Sequence, residues 1–298
     1  MKEEWTKDQV FLTKDEVKKL LPKRKRESNK GDYGRTVIVG GSKRYGGAAY
    51  LSALAALRSG VGYTTLCVPE GLQAGYFLRL PEALLETVSG EDELRFHQAE
   101  FKKLCVYDSI AYGMGLGMSE DVAMGVEYLL EKYQGKLILD ADGINSLQLL
   151  EKERLDELFK NKKCDVIITP HVKEFSRVTG KSVEEILENP LKHATDFASE
   201  KQITVLLKGH VSVITDGRKT LINERGCSGQ AKGGSGDVLS GVIAGLAAQG
   251  VSSFEAGASA AYLVGNAAEI GAKEWSDYSL LPRDVVEFLG KSFLEILN

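Results

Sequence analysis

The chain has 298 residues, of which 43% are hydrophobic and 27% charged, and its formal net charge is −4 at pH 7. This net negative charge argues against nucleic-acid binding, which usually needs a basic surface. No apolar run approaches the roughly 20 residues of a membrane span. A chain of this length buries about three quarters of its unfolded surface, so it can fold without disulfides or a structural metal, and α/β proteins of this size often form one domain.

The cysteines and the amino-terminal residues both indicate a cytoplasmic protein. None of the four cysteines forms a Cys-x-x-Cys pair, which favours reduced thiols over a disulfide framework or a zinc site. The first residues, Met1 to Trp5, are charged and lack the apolar core of a signal peptide. We therefore expect small molecules, rather than a membrane or a nucleic acid, as binding partners.

Short β-branched runs alternate with stretches of helical periodicity along the chain. Thr13 and Glu16 have capping-box spacing at the start of the first helix, and Pro22 ends it. The predicted helices span residues 13–21, 48–59, 119–133, 181–201 (one or two helices), 238–248, 254–272 and 284–296, with less regular helical material up to about residue 100. The predicted strands are Thr36–Gly40, Tyr63–Val68, Tyr107–Tyr112, Leu137–Asp142, Val166–His171 and Thr204–Gly209, followed by a hairpin of Val211–Thr215 and Thr220–Asn223. This order predicts a mostly parallel sheet with helices on both faces.

Glycines and polar residues follow several of these strands. Because the carboxyl ends of parallel strands share one edge, and ligands bind at that edge of open α/β sheets, we expect these residues to lie together. They are Gly46, Gly47, Gly115, Asp140, Asp142, His171, Lys208 and, from the segment before a later helix, Asp237.

Two of these positions have more than one interpretation. Asp140 and Asp142 could hold Mg²⁺ through water, or one of them could cap the next helix. The loop before Ala48 could bind phosphate, but it lacks the Lys of a Walker A motif after Gly47, and a tight turn explains it equally well.

The most informative stretch is the glycine-rich segment from Gly226 to Gly241. Glycines let a backbone approach a ligand closely, and the amides at the start of the following helix form an anion site. Asp237 lies where the loop becomes helix, and an anion there would repel its carboxylate. It could take a proton from a hydroxyl during phosphoryl transfer, or it could simply cap the helix.

Several segments together resemble the ADP/ATP-dependent NAD(P)H-hydrate dehydratases, a branch of the ribokinase-like superfamily. Gly233–Gly241 resembles the anion-hole and catalytic-base segment of ribokinase-like kinases. The other matching segments are Lys30–Gly34, Gly46–Ala48, Leu57–Gly62, Gly113–Gly115, Leu139–Asn145, Thr169–His171 with Glu174 and Phe175, and Leu207–His210. The resemblance covers about residues 28–290 and implies a single ribokinase-like domain over residues 1–298, with a helical lead-in of about 30 residues.

The resemblance implies a repair enzyme that dehydrates the (6S) hydrate of NADH or NADPH. Mg²⁺ and an adenine nucleotide, ADP or ATP, would be required; the His of Thr169–His171 resembles the ADP-using members and favours ADP, with ATP as the alternative. Asp237 would be the catalytic base and would contact the hydrate. The other implied hydrate contacts are Ala48, Gly115, His171, Glu174 and Arg177. The implied nucleotide contacts are Lys208, Gly209, His210, Val211, Ser212, Gly233, Gly234, Ser235 and Gly236.

The chain departs from the family pattern at Met114, where Pro is more usual, and at Gly143, where Ala is. Many members carry a fused epimerase domain, but the segment before Gly31 is too short for one, so we expect a separate epimerase as partner. The apolar terminal helices lead us to expect a homo-oligomer.

Two other functions are compatible with the same segments. A small-alcohol kinase of the superfamily, of the hydroxymethylpyrimidine or thiazole type, would use the same Asp and the same anion site. A non-catalytic nucleotide-binding protein would also use the glycine loop, but it would gain nothing from the charge of Asp237.

Overall fold

A ten-stranded sheet organises the computed structural model, which describes residues 10–298. The strands lie in the order β1-β10-β9-β8-β7-β6-β5-β2-β3-β4. They are β1 (Val10–Phe11), β2 (Arg35–Val39), β3 (Tyr63–Pro69), β4 (Leu84–Val88), β5 (Ser109–Tyr112), β6 (Lys136–Leu139), β7 (Asp165–Ile168), β8 (Thr204–Leu207), β9 (Ser212–Thr215) and β10 (Thr220–Asn223). Only β9 runs antiparallel to its neighbours, so the prediction of a mostly parallel sheet is confirmed.

Helices connect the strands and complete the chain. They are α1 (Lys14–Leu20), α2 (Gly46–Arg58), α3 (Gln73–Phe77), α4 (Gln98–Leu104), α5 (Glu120–Lys132), α6 (Asp142–Asn145), α7 (Lys152–Asn161), α8 (Val172–Thr179), α9 (Val183–Glu188), α10 (Pro190–Lys201), α11 (Ser235–Ala248), α12 (Ser253–Trp275) and α13 (Pro282–Leu297). The capping box predicted for the first helix is present, because the Thr13 hydroxyl accepts from the Glu16 amide and the Glu16 carboxylate accepts from the Thr13 amide.

Helices cover both faces of the sheet, as predicted. Alternate residues of a strand point to opposite faces, and in β2 the side chain of Ile38 joins one buried cluster while Val37 and Val39 join another. The first cluster includes residues of α2, α11, α12 and α13, and the second includes residues of α4, α5, α7 and α10. Burial on both faces is why the central strands are continuously apolar.

The structure contains elements that the sequence did not predict, among them helix α7 (Lys152–Asn161) and strand β1 (Val10–Phe11). Strand β4 lies within the stretch to about residue 100 that was expected to be helical, and it forms one edge of the sheet beside β3. Helix α8 begins directly after His171, where no helix was predicted. The predicted strands before the polar residues also end earlier, so Asp140, His171 and Lys208 lie just beyond β6, β7 and β8.

Helix α11 packs against α2, and this contact holds the glycine-rich segment at the carboxyl edge of the sheet. The Ser52 hydroxyl of α2 donates a 2.8 Å hydrogen bond to the backbone carbonyl of Asp237. A Cβ at Gly241, one turn further along α11, would lie 2.1 Å from the Ser52 carbonyl oxygen. The two helices therefore approach as closely as their backbones allow.

Within residues 10–298, no helix is long and apolar enough to cross a membrane. The four cysteines, Cys67, Cys105, Cys164 and Cys227, are all free.

Candidate active site

A buried ion pair joins the carboxyl ends of β6 and β8. The ammonium of Lys208 lies 2.9 Å from Asp140 Oδ1, and the Ser240 hydroxyl of α11 donates to Asp140 Oδ2 at 2.7 Å. Burial disfavours the charged form of both groups. For Asp140, the positive charge of Lys208 and the hydrogen bonds from Ser240 and Lys208 outweigh the effect of burial, so the pKa of Asp140 is lowered. For Lys208 too, burial is outweighed by the carboxylates of Asp140 and Glu174, and the pKa of Lys208 is raised. Both groups are therefore charged at neutral pH.

A strained turn follows Asp140. The Gly143 amide donates to the Asp140 carbonyl at 2.9 Å, and Ala141 between them has φ 47° and ψ −114°. These angles resemble the first central position of a type II′ turn, which normally carries glycine. The turn is held by Asp142, whose amide donates to the Gly113 carbonyl at 3.2 Å and whose Oδ2 accepts from the Gly117 amide at 2.8 Å. Such strain is typical of functional sites.

Asp237 lies in the first turn of α11 with a carboxylate that no hydrogen bond from residues 10–298 reaches. Burial is the main cause that raises its pKa to about 7. The negative charges of Asp140 and Asp142 raise it further, while Lys208 opposes them. A carboxylate with a pKa near neutrality is suited to accept a proton at physiological pH.

The loop before α11 exposes backbone amides beside this carboxylate. Gly234 has φ +104°, and a Cβ there would lie 2.7 Å from the side chain of Leu51, so the loop needs glycine at this position. The amides of Gly236 and Asp237 have no backbone partner in the part of the chain that the structure describes. A Cβ at Gly236 would lie 3.2 Å from the Lys208 ammonium, so free amides and a cation face the same space. This arrangement suits a phosphate.

A cavity of about 740 Å³ opens beside the loop. Of the residues predicted to bind nucleotide, six line it: Lys208, Gly209, His210, Ser212, Ser235 and Gly236. Val211, Gly233 and Gly234 are not among its lining residues. Leu239, Ala261 and Val264 give the cavity an apolar wall, so one region carries cations and amides and another could accept a flat ring.

Of the predicted hydrate contacts, His171 is the N-cap of α8, Glu174 and Arg177 lie on that helix, and His171 lines the same cavity as Lys208. The backbone of His171 forms an isolated parallel β-bridge with that of Lys208. The His171 side chain caps α8, because its Nδ1 accepts a hydrogen bond from the Glu174 amide at 3.2 Å. Burial, followed by the charges of Lys208 and Arg177, lowers the pKa of His171, so its ring is neutral near pH 7. Glu174 is buried, with a pKa raised mainly by burial, and its Oε2 accepts from the His171 amide. The Arg177 guanidinium donates to Asn145 Oδ1 at 2.8 Å.

Ala48 and Gly115 adjoin each other across the ends of β2 and β5. Gly115 has φ +70°, and a Cβ there would lie 2.9 Å from Ala48 Cβ and 2.7 Å from the Tyr45 carbonyl oxygen. Only glycine fits, and the first turn of α2 therefore meets the loop between β5 and α5, whose Gly117 amide donates to Asp142.

The two strand-end carboxylates do not form a metal site by themselves. Among residues 10–298, no group of three or more His, Cys, Asp or Glu side chains could hold a metal ion. Asp140 is committed to Lys208 and Ser240, whereas a hydrogen bond engages only one oxygen of Asp142. Asp142 lies in the first turn of α6. The N-cap residue of that helix is Ala141, whose side chain makes no capping hydrogen bond.

The sequence interpretation missed two parts of this site. The Ser240 hydroxyl donates to Asp140. The only sequence signal for this role is that Ser240 follows Asp237 by three positions, which places both residues on one face of the helix. Asn223 and Arg225 line the cavity from the end of β10 and the loop after it, and no local motif marks them.

Comparison with known proteins identifies relatives along nearly the whole chain. A family model described as NAD(P)H-hydrate dehydratase matches residues 36–290. The chain is 35% identical over 285 residues to the ADP-dependent (S)-NAD(P)H-hydrate dehydratase of Cenarchaeum symbiosum, which covers 94% of this chain and 95% of that protein. It is also 35% identical to the bifunctional NAD(P)H-hydrate repair enzyme of Moorella thermoacetica, but there it spans only 53% of the relative's length.

Solved structures share the fold. The ADP/ATP-dependent NAD(P)H-hydrate dehydratase of Bacillus subtilis, co-crystallised with ATP and Mg²⁺, superposes with a TM-score of 0.84 at 30% identity, over 98% of this chain and 100% of that one. A ribokinase-like superfamily protein from Enterococcus faecalis superposes with a TM-score of 0.83 at 27% identity, over 99% of each chain. The predicted ribokinase-like architecture is thereby confirmed.

Proposed function

The chain belongs to the NAD(P)H-hydrate dehydratase family, and from this membership and the site geometry we propose that it dehydrates the (6S) hydrate of NADH or NADPH at the expense of an adenine nucleotide. The products are NAD(P)H, phosphate and either AMP from ADP or ADP from ATP. The observation that carries the proposal is a carboxylate, Asp237, with a pKa near 7 beside free amides and the Lys208 cation.

The nucleotide would occupy the cavity beside the glycine loop. Its phosphates would lie against Lys208 and the free amides of Gly236 and Asp237, with Ser235 beside them, and its base against the apolar wall. His210 and Ser212 would line the same space. Val211, Gly233 and Gly234 would contribute through the backbone that adjoins these residues. ADP is the preferred nucleotide in this proposal, because relatives such as that of Cenarchaeum symbiosum are ADP-dependent by name.

The hydrate would bind beside the nucleotide, where His171 lines the cavity next to Lys208. Ala48 and Gly115 provide a close backbone approach, and the neutral His171 ring, with Glu174 and Arg177 behind it, provides polar contacts. Asp237 would then lie within reach of the proton of the ring hydroxyl, and the oxygen of that hydroxyl would face the terminal phosphate.

Asp237 would accept the proton of the hydroxyl on ring carbon 6 as that oxygen attacks the terminal phosphorus and the bond to the nucleotide leaving group breaks. Hydroxide leaves poorly, whereas phosphate leaves well. The lone pair of the ring nitrogen expels the phosphate from carbon 6, and transfer of the proton from carbon 5 to water restores the dihydronicotinamide. Lys208 and the Gly236 amide stabilise the charge that develops on the transferred phosphoryl group.

The side chains present fit a magnesium ion that is carried mainly by the nucleotide. Mg²⁺ usually keeps several waters and binds through one or two carboxylates together with substrate phosphates, and the described residues contain no cluster of three or more His, Cys, Asp or Glu that could hold the ion alone. Asp142, with one oxygen unengaged, would hold the ion through water. When bound, Mg²⁺ would neutralise charge on the phosphate oxygens.

The wider setting follows from the relatives. The bifunctional enzymes combine two activities in one chain, and this chain spans about half of their length, so we propose that it acts with an NAD(P)H-hydrate epimerase that supplies the (6S) form. We also propose that residues 1–298 work as one domain, in a homo-oligomer, in the cytoplasm, where its four free thiols would stay reduced.

The deciding experiment incubates the purified protein with NADH hydrate, Mg²⁺ and either ADP or ATP. We expect the absorbance of the reduced ring to return with one phosphate released per ring restored, and faster with ADP. A phosphorylated small alcohol formed from hydroxymethylpyrimidine or hydroxyethylthiazole, without ring repair, would instead establish a kinase. Nucleotide binding without any phosphate release would establish a non-catalytic binder.

A further inference from the structure

The side chain of Lys232 joins the glycine-rich loop to the loop between α12 and α13. Its ammonium donates to the backbone carbonyls of Asp277, Tyr278 and Leu280 at 3.2, 2.8 and 2.6 Å. An ammonium has three N–H donors, so these three carbonyls engage all of them. Although Lys232 lines the cavity, it has no donor left for a phosphate oxygen.

Other contacts bind the same two loops together. The Gly229 amide donates to Asp277 Oδ1 at 3.1 Å, and a Cβ at Gly234 would lie 3.1 Å from Pro282 at the start of α13. The backbone carbonyl of Lys232 itself accepts from the Ser235 amide at 3.3 Å. Lys232 is therefore one hydrogen bond away from the first turn of α11, whose amides face the phosphate space.

We propose that Lys232 is a positioning residue that serves as a built-in monovalent cation for the anion-binding loop. Three carbonyl oxygens that converge on one point repel each other and need a cation or a set of donors between them. Carbonyl groups also coordinate K⁺ in place of its hydration shell, and free ammonium carries the same N–H donors as lysine. The role in catalysis rests on the proposed function, whereas the role in holding the loops together does not.

The variant Lys232→Met tests the proposal, because it keeps the apolar stem and removes the cation. In assay buffer with Mg²⁺ in which tetramethylammonium is the only monovalent cation, we expect kcat/KM to fall by about 10- to 100-fold, the range for loss of a group that holds direct ligands in place. Adding KCl or NH₄Cl at the same ionic strength should restore most of that loss, while the wild-type protein should not respond.

The matched control is Lys273→Met. Lys273 is exposed on the last turn of α12 and makes no hydrogen bond or ion pair within residues 10–298. It should behave as the wild type in every salt, which separates the local role of Lys232 from a general change in charge.

A second readout needs neither substrate nor nucleotide. The Tm of Lys232→Met should rise in KCl or NH₄Cl relative to tetramethylammonium chloride, and the wild-type Tm should show no such difference. That response would support the cation role even if the dehydratase assay failed. A Lys232→Met protein with normal kcat/KM, or one whose losses neither K⁺ nor NH₄⁺ reverses in rate or Tm, would overturn the proposal.

Discussion

The Lys208 ammonium and the Asp140 carboxylate lie 2.9 Å apart although 68 residues separate them in the chain. Asp140 is 1% exposed, so its charge depends on that cation and on the Ser240 hydroxyl. The pair brings together the ends of β6 and β8 and faces Gly236 of α11. It therefore couples the stability of the sheet edge to the electrostatics of the candidate phosphate site.

Removing one member of this pair should destabilise the protein. We expect Lys208→Met to lower the free energy of unfolding by about 3 kcal/mol, because it leaves a buried carboxylate without its cation. Urea unfolding at pH 7 measures the change, and nucleotide binding should be lost as well. The double variant Asp140→Asn with Lys208→Met removes both charges and should recover much of the stability. A single variant as stable as the wild type would show that the pair is not coupled.

The pH profile should report the carboxylate of Asp237. The base must be ionised to accept a proton, and its pKa is raised to about 7, so kcat/KM should rise about tenfold per pH unit below pH 7 and level off above it. Lys208 should not cause a fall on the alkaline side near neutrality, because its pKa is raised. A flat profile between about pH 5 and 9 would argue against Asp237 as the base.

The variant Asp237→Asn should lose activity and gain stability. Turnover should fall by at least about 100-fold, the lower range for a general base, while nucleotide binding should be largely retained. Because the folded-state pKa lies above the ordinary value of 3.8, the ionised side chain destabilises the native state increasingly as pH rises from about 4 to 7, and fully above 7. We expect the variant to be about 2 kcal/mol more stable at pH 8 and no more stable at pH 4. Near-normal turnover by Asp237→Asn would show that Asp237 is not the catalytic base.

Local sequence patterns predicted the edge of the sheet because each polar residue there directly follows an apolar run. Asp140, His171 and Lys208 could be placed at one edge from strand order alone. The partner of Asp140 could not, because the choice between a metal, a helix cap and Lys208 depends on contacts between distant segments.

The missed elements have local reasons. Strand β4, Leu84–Val88, lies at a sheet edge and is only partly buried, so its Leu-Leu-Glu-Thr-Val sequence lacks both a continuous apolar run and a clean alternation. Helix α8 is capped by His171, a residue outside the usual capping set of Ser, Thr, Asp and Asn. Its capping partner, Glu174, was instead interpreted only as a ligand contact.

The strained turn at Ala141 offers a stabilising substitution. Its φ of 47° disfavours a Cβ, and the strain at such a position is about 1–3 kcal/mol. Ala141→Gly removes it, so the free energy of unfolding should rise by about 1 kcal/mol after the entropy of the added glycine is subtracted. Ala99→Gly, at an exposed position of α4, is the matched control and should lower stability by about 1 kcal/mol. If both variants were destabilised equally, the turn would not be strained.

Close packing of α11 on α2 should be the most sensitive structural feature of the site. A Cβ at Gly241 would lie 2.1 Å from the Ser52 backbone oxygen, and backbone cannot move aside as a flexible side chain can. We expect Gly241→Ala to lower the free energy of unfolding by about 1–3 kcal/mol or more, as overpacking does. Gly290→Ala in α13 is the control, because no atom of the described residues outside the adjoining helix backbone lies within 4 Å of the added Cβ, and it should stabilise by up to about 1 kcal/mol through helix propensity. The Ser52 hydroxyl also donates to the Asp237 carbonyl, so Gly241→Ala should reduce kcat in the fraction of protein that remains folded. If kcat and Tm were both unchanged, the helices would be able to move apart without disturbing Asp237.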